Sequence, residues 1–137
     1  MLIDPRLSIW MRGRCWDMAV ALHELTALPM AGLFDDRGDC HHAFVQTTDG
    51  RGLDWCGLRP IQRLSAGCKG QIVKPISRED IAHWVGRDLS RSEINAARKA
   101  CLANAQINAC VELAVEIARA TPAASDTQTA DAPSPRG

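Results

Sequence analysis

A cysteine attacks an acyl carbon when three groups meet: a thiolate, an imidazole that carries the proton, and a polar group that orients the imidazole. Cys15, His42 and Asp54 supply one of each, in that order along the chain. Cys15 opens a helical pattern, so unpaired backbone N–H groups and the positive end of the helix dipole favour its thiolate. Arg12 and Arg14 push in the same direction, and Asp17 pushes in the opposite one. His42 stands near the start of one apolar segment and Asp54 in the next, across an Asp49-Gly50 turn signal. Pairing of those segments as a hairpin brings His42 and Asp54 close to facing one another and leaves the second ring nitrogen for Cys15. His41 competes with His42 for this part, because neighbouring strand residues point to opposite faces and only one of them can meet Cys15.

The elements that must hold these residues follow from periodicity. From Cys15 to Ala27, Met18, Leu22 and Leu25 fall on one helical face, and Pro29 ends the helix. Met30 to Phe34 has strand length, and Asp35 to Asp39 is a polar loop. His41 to Thr47 and Gly52 to Cys56 read as two antiparallel strands. Gly57 to Gly70 reads as loop, broken by Gly57, Pro60, Gly67 and Gly70, and Gln71 to Ile76 reads as a last short strand. Ser77 with Asp80 starts a helix reaching Asp88, and Ser90 with Glu93 starts a second that runs unbroken to Arg119. In that second helix Ala96, Ala100, Ala103, Ile107, Cys110, Ala114 and Ile117 form the expected apolar stripe. The expected class is α+β: an N-terminal helix carrying Cys15, packed on a small antiparallel sheet, with a long C-terminal helix.

Composition sets the outer limits. A length of 137 residues suits one domain. Residues 120–137 are mostly Ala, Pro, Ser, Thr and Asp, too poor in bulky apolar groups to offset ordering, so a disordered tail is expected after a domain spanning 1–119. Lys plus Arg equals Asp plus Glu at 16 each, so no broad basic field is present to hold a phosphate backbone or an anionic membrane. No apolar run approaches the roughly 18 residues of a membrane span. The opening residues show no export signal, which points to the cytoplasm and to reduced cysteines. The chemistry above calls for no cofactor and no metal. A competing arrangement gathers Asp39, Cys40, His41, His42, Cys56 and Cys68 as zinc ligands, although their spacing matches no Cys-x-x-Cys knuckle.

Gly13-Arg14-Cys15-Trp16, Leu28-Pro29, His42-Ala43-Phe44-Val45 and Leu53-Asp54 together resemble the compact core of the papain-like superfamily. They are most similar to its transglutaminase-like branch and to bacterial cell-wall amidases and endopeptidases. The likeness spans residues 8 to 58. It implies Cys15 as nucleophile, His42 rather than His41 as base and acid, and Asp54 as the orienting group. Members of that superfamily place a Gln before the nucleophile to complete the oxyanion hole, and no Gln precedes Cys15 here. The implied hole uses the Cys15 N–H with Trp10 or Ser8 as second donor, and Trp10 and Trp16 flank the substrate. The implied activity is a cysteine hydrolase or acyltransferase on an amide or isopeptide bond (peptidase, amidase, deamidase or transglutaminase). Its partner would be a protein or peptide, peptidoglycan peptides included, and neither nucleic acid nor membrane. The alternative is a non-catalytic papain-fold binding module, an adaptor or inhibitor such as mobile elements carry; a zinc-stabilised domain ranks third.

Overall fold

The computed structural model describes residues 4–64 and 72–120. Helix α1, Cys15–Thr26, is more deeply enclosed than a one-face stripe: Met18, Ala19, Val20, Ala21 and Leu22 are all buried. It lies between strand β2, Cys40–Gln46, and helix α4, Arg91–Ala103, so apolar groups are needed nearly all round. Ala27 takes a left-handed conformation (φ 62°) and its N–H bonds the His23 carbonyl at 2.8 Å. The His23 ring contacts the Leu28 carbonyl at 2.6 Å, and Thr26 Oγ accepts from the Leu28 N–H. These bonds stop the helix and turn the chain directly into strand β1, Met30–Phe34.

The sheet is antiparallel in the order β4-β3-β2-β1-β5, with β3 at Arg51–Asp54, β4 at Gly57–Pro60 and β5 at Ile72–Pro75. The architecture is the α+β class expected. Two pieces of it replace the first part of the loop read at 57–70, strand β4 and a single helical turn α2, Ile61–Leu64, and residues 65–70 lie outside the described residues. Gly57 is the reason. It sits at φ 108°, which lets Trp55 and Cys56 form a two-residue turn and bring β4 back along β3, so a breaker in the sequence becomes the start of a strand. Gly57→Ala is expected to cost about 1–3 kcal/mol through backbone strain, read as a lower urea midpoint.

Helix α3 is Arg78–Val85, capped by Ser77 and Asp80, and α4 is capped in the same way by Ser90 and Glu93. The single long helix expected after Glu93 is two. Asn104 closes α4 through its N–H on the Cys101 carbonyl, and its side chain accepts from the Ile107 N–H to open α5, Ala105–Ala120. This break resets the helical phase. Ile94, Ala97 and Cys101 face the core from α4, with Ile107, Val111 and Ala114 from α5, while Ala96 and Ala103 of the expected stripe are exposed. α5 runs through Ala120, and the rest of the expected tail lies outside the described residues. Among the described residues no helix is long and apolar enough to cross a membrane.

Candidate active site

The β2–β3 hairpin places the imidazole and the carboxylate. The Thr47 N–H bonds the Arg51 carbonyl at 2.8 Å around the Asp49-Gly50 turn, with Gly50 at φ 86°. Val45 pairs with Leu53, so Phe44 faces Asp54 across the ladder and His42 reaches Asp54 diagonally rather than directly. His42 Nε2 lies 2.8 Å from Asp54 Oδ2, in a buried contact.

Which histidine turns inward is decided by a bulge. β2 pairs with β1 as Leu33 with His42 and then Phe34 with Cys40, so His41 is an extra, unpaired residue. Its ring swings outward to Asp35, 2.5 Å away, while His42 stays inside.

Asp54 is 1 % exposed, and an ionised carboxylate there requires compensation. It receives it from three sides: His42, the Cys56 N–H at 2.8 Å, and Arg59 Nη2 at 3.1 and 2.8 Å from the two oxygens. Arg59 on β4 is the functional residue that the sequence reading missed. Its signal was the Gly57-Leu58-Arg59 step out of a two-residue turn, which pairs position 59 with Gly52 and so puts it on the sheet face that carries Asp54, two residues along β3. Arg59 Nε is itself buried and has no hydrogen-bond partner among the described residues.

The His42 ring is pushed up to about 9. Burial works against the charged form, but the Asp54 bond, the Cys15 sulfur close enough to act as hydrogen-bond partner, and the charges of both outweigh it. Cys15 is the first residue of α1 and is 3 % exposed; Arg14 at the N-cap makes no side-chain cap bond. Arg14 does not turn to the thiol. Its guanidinium is held by the buried Asp17 at 3.0 Å and by Glu93 at 3.7 Å. The helix end therefore faces Cys15 without a competing side-chain cap. Three other thiols are pushed up by burial, Cys40 and Cys101 to about 11, and Cys56 in the same direction.

Trp10 and Ser8 are bound to each other, the Trp10 N–H donating to Ser8 Oγ at 3.1 Å, and the Trp10 ring packs on Trp55. Trp16 joins an aromatic cluster with Trp84 and, through it, Phe34. Both tryptophans pack against the main core, so their visible work is packing. Of the zinc set, Cys68 lies outside the described residues, and among those described no three His, Cys, Asp or Glu side chains converge as a ligand cluster. The five cysteines of the described residues are free thiols.

Comparison with protein-family models, with curated proteins and with solved structures finds no match for this chain.

Proposed function

We propose that the protein is a cysteine hydrolase or acyltransferase acting on amide or isopeptide bonds of proteins or peptides. The observation that carries this reading is the buried line Cys15, His42, Asp54, in which His42 touches both partners. Asp54 occupies Nε2 and fixes the ring, which leaves Nδ1 for the sulfur. Cys15 Sγ attacks the carbonyl carbon and the oxygen takes the negative charge, facing the uncapped amides at the start of α1. The imidazolium then gives its proton to the leaving amine as the C–N bond breaks. Water or a second amine attacks the thioester, loses its proton to His42, and releases Cys15. The resemblance of these motifs to the papain-like core supports the same roles. A reducing, cytoplasmic setting fits a protein that works through a free thiol.

Site-resolved alkylation with iodoacetamide at about pH 6, where an ordinary thiol of pKa about 8.5 reacts slowly, tests the proposal. Labelling should be fastest at Cys15 and slow by at least about tenfold in His42→Ala, as expected when the base that activates a nucleophile is removed. Equal rates in the two proteins would defeat it. Cys15→Ala should then abolish turnover and leave the fold intact. The burial of Cys15 favours a second reading, a papain-fold binding module, for which Cys15→Ala leaves partner binding unchanged.

A further inference from the structure

Beside the buried line lies a cavity of about 370 Å³ with His42 in its wall. Its ionisable lining is entirely of the basic types, Arg6, Arg59, Arg63, His41 and His42, alongside apolar side chains and no carboxylate. In a chain whose charges sum to +0, three arginines on one cavity are a local concentration and not a background. Part of this charge is already answered. Arg6 pairs with Asp4 at 2.7 Å, Arg59 with Asp54 at 2.8 Å, and His41 with Asp35 at 2.5 Å. Arg63 is exposed and has no acidic partner among the described residues, and Asp54, which answers Arg59, is shared with His42 at 2.8 Å. Arg63 and Arg6 stand on separate elements, α2 and the turn at Pro5–Leu7, so two guanidinium groups reach the same space from different parts of the chain.

We infer that this cavity is an anion subsite that receives a carboxylate of the substrate while the neighbouring amide is presented to Cys15. The inference rests on the function proposed above and narrows its substrate to peptides that carry a carboxylate near the bond attacked. Guanidinium groups suit that partner, because their planar forks match a carboxylate with two parallel hydrogen bonds. In a peptide the carboxylate comes from the free C-terminus or from an acidic side chain.

Two-dimensional NMR titration of the full-length protein separates these sources. The probes are acetyl-dialanine with a free C-terminus, acetyl-glutamyl-alaninamide with its acid on the side chain, and neutral acetyl-dialaninamide. At least one of the acidic peptides should shift the His42 and Arg59 resonances at about a tenfold lower concentration than the neutral one, and the tighter of the two identifies the source. Arg63→Gln should remove most of that preference. Equal binding of all three peptides, or an undiminished preference in Arg63→Gln, would overturn the subsite. Inorganic phosphate displacing the peptides at lower concentration than acetate does would overturn the carboxylate assignment. The iodoacetamide rate at Cys15 is an independent readout: an inert Cys15 beside an intact peptide preference removes the catalytic function and leaves the subsite standing.

Discussion

Asp54→Ala is expected to destabilise the fold by about 3–5 kcal/mol, the cost of breaking a buried charged network from one side. The Asp54 carboxylate accepts from His42, from the Cys56 N–H and from Arg59, so its removal orphans three donors at once. Two of those donors belong to cations that would then face each other across a buried gap, His42 and Arg59. The third fixes the Trp55-Cys56 turn on which β4 depends. Asp54→Asn separates fold from chemistry. It keeps an oxygen for the Cys56 N–H and the volume of the side chain, so it should retain the native fold at a smaller cost. Without the negative charge the imidazolium is no longer stabilised, and turnover should fall by about 10²- to 10⁴-fold, the usual share of a positioned acid and base. Urea denaturation of both variants, with single-turnover kinetics on the Asn variant, checks the pair. A loss under about 1 kcal/mol in Asp54→Ala, within reach of an ordinary surface hydrogen bond, would show that the network does not hold the β3–β4 corner.

The parts of this site that were legible in the sequence are those set by local rules. The helix from Cys15, the strand at Met30–Phe34 and the Asp49-Gly50 hairpin depend on periodicity, a proline and a turn pair, all readable within a dozen residues. The pairing of His42 with Asp54 follows from that hairpin. Strict alternation, however, does not choose between His41 and His42, because the bulge that turns one outward is created by the pairing of β2 with β1 and leaves no mark on either strand alone. Arg59 was hidden for a related reason. Gly57 and Pro60 bracket only two residues and read as breakers, yet one provides the turn and the other ends the strand, so the guanidinium between them arrives at Asp54. The split of the C-terminal helix falls at Asn104, a residue whose side chain caps only once the chain has already bent.

Raising the pH from 6 to 9.5 should weaken the folded state by roughly 3 kcal/mol through His42 alone. In the unfolded chain the ring titrates near its ordinary value of about 6.5; in the fold it is pushed up to about 9, since the bonds to Asp54 and Cys15 exceed what burial takes away. Between those two values the native state holds a proton that the unfolded state has lost. Stability from this group is therefore complete below about 6.5, falls steadily as the pH rises, and is gone above about 9. Urea midpoints measured across this range on the wild type and on His42→Gln test it: the slope should be present in the first and largely absent in the second, and equal slopes would show that the ring carries no such proton. The upper break has a second meaning. The proton lost at that point is the one His42 would give to the leaving amine, so the alkaline limb of turnover should fall at the same pH as the end of the stability slope. The lower break belongs to the unfolded chain and should have no counterpart in turnover. Coincidence at the upper break, without coincidence at the lower one, would tie the stabilising proton to the chemical one, whereas a structural histidine would produce the slope and leave the rate profile untouched.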